Sequence, residues 1–239
     1  MDLSELLTRY DAGERDFRNA NLAGADLSQR VLPEINLRES NLSGAILDGA
    51  DLHGANLRGV KLAQSSLFKT NLMLANLIGA DFTGANLMHA NLTEGGMRGT
   101  ILTRATLVQA TLQDANLNEV NLDEANLEGA NLSGVSLNRA RLAKANLTAA
   151  NLEGASLASA TLVEGILVRA KLQGAIVSGA TLDLADMTEV DLSRAKLQGC
   201  SMVNTILVRA NLRGTNLSWS SLRGADLTGA TLYSRRHLG

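Results

Sequence analysis

Three histidines (His53, His89, His237), one cysteine (Cys200) and 24 Asp and Glu residues are the side chains of this 239-residue sequence best suited to move protons, attack as nucleophiles or ligate a metal. Acid–base or nucleophilic catalysis needs two or three such groups within hydrogen-bond reach of one another. A zinc site needs ligands at short, fixed spacings. The histidines are scattered, no His/Cys/carboxylate set has metal-ligand spacing, and no phosphate-cradling glycine motif is present. The sequence therefore predicts no catalytic, metal or cofactor-binding residues and no enzyme activity. What does recur is Asn and Asp, at a constant interval, and that regularity belongs to the elements rather than to a reaction.

The stretch NLDEANLEGANLSG (121–134) shows the rule. Leu122, Leu127 and Leu132 recur every five residues, each preceded by Asn and, two places before, usually by Ala. A period of five fits neither a helix nor a strand, so it marks a repeating structural unit. With the Leu position written i, the pattern runs in one phase from Phe17 to Leu232, giving 44 repeats. Position i is Leu in 38 of them, the others being Phe17, Phe82, Met97, Val177, Met187 and Met202. Position i−2 is Ala in 27, and position i−1 is Asn or Asp in 23.

These residues carry the signature A(D/N)LXX, by which the chain resembles the pentapeptide-repeat family over about nine-tenths of its length. The resemblance implies an all-β fold: a right-handed quadrilateral parallel β-helix in which each repeat forms one side and four repeats form a 20-residue coil. The residue pattern agrees with it. Positions i−2 and i share one face of an extended segment and can both point inward, leaving i−1 outside to bond the turn locally. Glycine at i+2 (Gly24, Gly44, Gly54, Gly84, Gly134) can supply a left-handed corner. About 11 coils stacked at about 4.8 Å would make a rod of roughly 50 Å.

Residues 20 apart then stack along the rod, and the outward positions can be read as columns. Arg18, Arg38, Arg58 and Arg98 share one i+1 column, interrupted by Ile78, and form a candidate basic ladder for an acidic partner. Phe68, Met88 and Val108 share another, with Met73, Leu74 and Ile78 on the following sides. Contiguous exposed apolar groups mark protein contacts, and Phe and Met are enriched there. This second group is the leading candidate interface.

Composition narrows the remainder. A net charge of −2 gives no general pull toward nucleic acid or anionic membrane, and neither is expected as a partner. A single Cys excludes an intramolecular disulfide and fits a reducing cytosol. The N-terminus lacks a signal-peptide pattern, and no stretch approaches the roughly 20 apolar residues of a membrane span. A cytoplasmic chain is expected.

Three segments follow: a helical cap over 1–16, the β-helix over 17–232 and a tail over 233–239. Leu3, Leu6, Leu7 and Tyr10 give the cap one apolar helical face, with Asp2 as N-cap and Asp11-Ala12-Gly13 as its end. So short a helix must dock on the open end of the array. Arg30 and Ile35 at i−2, together with Pro33, predict a distorted corner, and Gly95-Gly96 a second loose point. Cys200 reads as a buried, inert substitute for Ala. Trp219 and Tyr233 are expected to fold over the last coil, favouring a monomer over an end-to-end dimer.

Within the family the resemblance is strongest to uninterrupted cyanobacterial members with an N-terminal helix. It implies a non-enzymatic regulator, of heterocyst differentiation, that contacts another protein with its flat faces. The alternatives are a DNA mimic that binds gyrase, as quinolone-protecting members do, and a structural spacer. The mimics are markedly acidic and have a C-terminal dimerisation helix, neither of which is evident here.

Overall fold

The computed structural model describes residues 3–232. Asp2, the tail 233–239 and with it Tyr233 and His237 lie outside the described residues. From Asp16↔Asn36 to Asn211↔Thr231 an unbroken series of parallel bridges joins every i−1 residue to the one 20 positions on. A turn follows each bridge, so the chain winds as a four-sided parallel β-helix with five residues per side. The sides begin at Phe17, Leu22, Leu27 and Leu32 and are called first to fourth below.

The five backbone N–H groups of a repeat account for its residue preferences. Those at i and i+2 donate to the next coil (Leu42 to Lys61 O at 2.7 Å, Gly44 to Ala63 O at 2.9 Å), and that at i−1 donates to the previous one (Asn41 to Ala20 O, 2.9 Å). The fourth closes the turn (Ala45 to Leu42 O, 3.0 Å). The fifth, at i+1, meets the Oδ1 of the i−1 side chain, as Ser43 N–H does with Asn41 at 3.1 Å. An Asn or Asp at i−1 therefore satisfies the donor that the ladder leaves over.

Where i−1 is not Asn or Asp, the acceptor can come from the coil below. Ser66 stands at one such position, and Asp48 Oδ1 accepts from both Phe68 N–H (3.0 Å) and Ser66 Oγ (2.6 Å). Asp123 does the same for Ala143, and Asp183 for Val203. Asp48, Asp123 and Asp183 are thus structural acceptors as well as surface charges.

Every corner residue at i+2 from Asn19 to Gly229 has a positive φ, between 54° and 72°. Combined with a negative φ at i+1 this is the sign pattern of a type II turn. At 26 of these corners the residue is not glycine, so left-handed backbone is a property of the whole array and not of its glycines. The ladder holds side chains there although each left-handed residue costs about 1–2 kcal/mol.

The Leu, Phe and Met side chains at i fill the rod with Ala at i−2 between them, nearly all at 0–3% exposure up to Leu212. Ser, Thr and Cys at i−2 do more than replace Ala. Thr70, Thr100 and Thr205 donate to the carbonyls of Leu47, Leu77 and Leu182 one coil below, at 2.7–2.9 Å. Cys200 is buried as expected; its Sγ donates in the same manner to Val177 O (3.1 Å), and burial pushes the thiol pKa up.

Helix α1 (Leu3–Asp11) closes the N-terminal end. Leu6 and Tyr10 are buried, and the Tyr10 hydroxyl donates to Pro33 O at 2.9 Å. Gly13, at φ 98°, and Glu14 fold back on Tyr10 O and Arg9 O, a Schellman ending.

Two expected irregularities are absent. Pro33 occupies i+1, the position whose N–H takes no part in the ladder, so the ladder passes it intact (Leu32 to Asp51 O, 2.8 Å; Glu34 to His53 O, 2.9 Å). Ile35 is buried, Arg30 is exposed, and only the Ile35–Leu32 turn bond stretches, to 3.4 Å. Gly95-Gly96 is equally regular: Gly95 closes its turn at 3.0 Å, Gly96 bonds Ala75 O, and Met97 is fully buried. The expected cap on the far end also fails at Trp219, a corner residue that is 94% exposed.

Candidate protein-binding surface

Because i−2 and i point inward, i−1, i+1 and i+2 form the surface, and side chains 20 residues apart ride one above the other. Phe68, Met88 and Val108 stack this way on the third side, half-buried by their neighbours in the column. Phe68 lies edge-on to His89, ring centroids 5.7 Å apart, and the Lys69 ammonium sits 5.0 Å from the Phe68 ring. Met73 follows, half-buried, on the fourth side; Leu74 occupies the next corner at 53% exposure, and Ile78 the first side at 40%. The six residues therefore wrap a band around three sides of neighbouring coils. Among the described residues Arg58 and Lys69, which border this band, have no ion-pair partner.

Exposed apolar side chains also stand at i−1, where Asn or Asp is usual: Ile46, Ile101, Ile166, Ile176 and Ile206 are each 38–42% exposed. The i+1 and i+2 columns alone do not reveal them; the signal was the missing Asn or Asp. Ile166 and Ile206 flank the exposed corner residue Leu184, a second apolar area nearer the C-terminal end.

The arginine column behaves differently. Arg18 pairs with Asp16 at 2.7 Å, Arg38 with Glu39 at 2.8 Å and Arg98 with Glu119 at 3.2 Å, leaving Arg58 alone in it. Two corner columns alternate in sign. Arg104 meets Glu124 at 2.8 Å and Lys144 meets Glu164 at 3.5 Å along one corner. Arg169 and Arg209 clasp Glu189 along another, at 2.8 and 2.9 Å. The Arg104 and Arg169 hydrogen bonds hold Glu124 and Glu189 below the ordinary carboxylate pKa. These exposed pairs add little stability, but they neutralise the surface they occupy.

Among the described residues the His, Cys and carboxylate side chains do not gather into a site. His53 Nδ1 lies 3.1 Å from Asp51 Oδ1, which also accepts from Asn71 Nδ2 at 2.8 Å, and among the described residues no three His, Cys, Asp or Glu side chains are placed to hold a metal. No helix among the described residues is long and apolar enough to cross a membrane.

The pattern of pentapeptide repeats matches the chain in 8 copies, over residues 20–59, 55–93, 100–139, 136–165, 166–202 and 191–229. The chain belongs to the pentapeptide-repeat family. It is 32% identical to HetL, a pentapeptide-repeat protein involved in heterocyst differentiation regulation from the cyanobacterium Nostoc, over 96% of each chain at a TM-score of 0.33. That likeness is one of sequence. Trypsin-treated QnrB1, a plasmid-mediated fluoroquinolone resistance protein, is 19% identical over 91% of each chain with a TM-score of 0.50, a likeness of fold alone. No curated protein matches the sequence. Family membership accounts for the right-handed solenoid.

Proposed function

We propose that this pentapeptide-repeat chain is a non-enzymatic regulator that binds another protein through flat solenoid faces in the cytoplasm. The rod of about 11 coils is the rigid support, and the band Phe68, Met73, Leu74, Ile78, Met88 and Val108 is the contact. The observation that carries this reading is the exposure of Leu74 and Ile78 beside the stacked Phe68–Met88–Val108 column, which joins large apolar groups across three sides of neighbouring coils. Large apolar groups held on a rigid sheet lose little entropy when a partner covers them. The likeness to HetL supports placing the regulator in heterocyst differentiation in a cyanobacterium.

The arginine column is the weaker surface, because three of its four guanidinium groups already have carboxylate partners. Mimicry of DNA on gyrase draws least support: the net charge is only −2, and two of the four corners carry alternating charge where a mimic needs continuous negative charge.

The test is capture of a partner from a cyanobacterial lysate by wild type, Phe68→Asp/Met88→Asp and Arg38→Glu/Arg58→Glu, with circular dichroism confirming each fold. Loss with the apolar pair alone is expected. Loss with the arginine pair alone would move the contact to the basic column. Retention of gyrase would replace the regulator with the mimic, and an empty capture would leave a spacer.

A further inference from the structure

Most corner cations of the rod are paired. Arg104, Arg139, Lys144, Arg169 and Arg209 stand at i+2, and each lies 3.5 Å or less from a Glu one coil away. Lys69 and Arg194 are the corner cations that lack such a partner among the described residues, and Lys69 is the one that stands inside the apolar band. Its column explains why. Gly49 lies below it and His89 above, and from Gln29 to Ala149 this corner carries no carboxylate. Gln29 folds over Gly49 and donates from Nε2 to Asp48 O at 3.1 Å. Asp48, beneath Phe68 on the third side, has its Oδ1 taken by Ser66 Oγ and Phe68 N–H.

The charge is also held in place. The Lys69 ammonium sits 5.0 Å from the centre of the Phe68 ring, and His89 meets the same ring edge-on at 5.7 Å. Both Lys69 and His89 are exposed. A cation kept against an aromatic ring loses less freedom than a free one when an anion binds it. The other end of the band differs. There Glu94 stands one coil above Leu74 and Arg58 one coil beneath Ile78, charges of opposite sign. The unopposed charge of the band is therefore positive, and it lies at the Phe68 end.

We propose, on the reading of the band as a protein contact, that Lys69 selects what binds there: a protein segment whose apolar anchors cover Phe68 and Met88 and which carries an Asp or Glu at the end that meets Lys69. The apolar groups supply the burial, and the carboxylate supplies the charge that no residue of this corner offers. A basic group in that place would face the Lys69 ammonium, so the same residue that attracts an acidic segment rejects a basic one. Lys69 thereby also sets the direction in which the segment lies across the band.

A random peptide library displayed on phage and selected on the immobilised full chain tests this, because the selected sequences report the charge directly. Peptides that join large apolar residues to Asp or Glu are expected. A synthetic peptide of the enriched sequence should bind Lys69→Glu at least about tenfold more weakly than wild type and should bind Lys69→Arg as well as wild type. Selection on Lys69→Glu should instead return peptides with Lys or Arg. Glu already occupies the corners at 34, 39 and 94, so the fold accepts it at 69, and circular dichroism would confirm this. Apolar peptides without an acidic bias, or equal affinity for Lys69→Glu, would overturn the role of Lys69 and leave the band a contact. Peptides indifferent to Phe68→Asp/Met88→Asp, or no enriched peptide at all, would overturn the band itself and Lys69 with it.

Discussion

The band around Phe68 and the corner running through Arg104, Glu124, Lys144 and Glu164 stand on the same skeleton. The band uses i+1 and i+2 positions and the corner i+2 alone, but beneath both the i residues are fully buried, and both share one hydrogen-bond ladder. Yet one presents Leu74 at 53% exposure next to stacked Phe and Met, and the other presents charges that pair with each other along the axis. The skeleton is indifferent to what its outward positions carry. A surface that satisfies itself has nothing left to offer a partner, whereas the apolar band is left partly exposed and the bordering Arg58 and Lys69 have no ion pair among the described residues.

Substitutions should separate skeleton from surface. Leu67→Ala, the inward neighbour of Phe68, should cost about 2–5 kcal/mol in chemical denaturation. A cost below 1 kcal/mol would mean that the two layers are not distinct. A methyl group on Gly44 would meet nothing within 4 Å, and φ there is 66°, so Gly44→Ala meets conformational strain alone. It should cost about 1–2 kcal/mol. Leu74→Gly relieves the same strain while freeing the unfolded chain, so stability should change by less than about 1 kcal/mol although partner capture weakens. Glu124→Gln, on the self-paired corner, should change stability by less than about 0.5 kcal/mol and leave capture untouched.

The smallest effect concerns pH. Partial burial pushes the carboxyls of Asp51 and Asp191 up, but hydrogen bonds from the His53 and Ser193 N–H groups and from neighbouring side chains outweigh it and hold both low. A carboxyl with a lowered folded pKa stabilises above its unfolded value of about 3.9 and loses that contribution as pH falls through the folded value. Melting temperatures should therefore drop below about pH 4, and less steeply in Asp191→Asn.

Periodicity made the repeat, the buried layer and α1 legible, because each depends on side-chain pattern alone. Three features depend instead on backbone accounting. Pro33 and Gly95-Gly96 look disruptive by residue type, but Pro33 stands where the ladder asks for no N–H, and the glycines make the regular i−2 and i−1 bonds. The left-handed corners were visible only where glycine marked them, since the ladder imposes the same φ on Leu74 and Lys69. Of the surface, the Phe68–Met88–Val108 column was readable once residues 20 apart were aligned, whereas the exposed Ile residues at i−1 required knowing what Asn does there.

Site-specific photo-crosslinking would test the central claim most directly: a photoreactive side chain at position 88 compared with one at position 124, in cyanobacterial lysate. The expected result is one discrete protein adduct from position 88 and none from position 124. Adducts from position 124 alone, or equally from both, would contradict a contact confined to the apolar band.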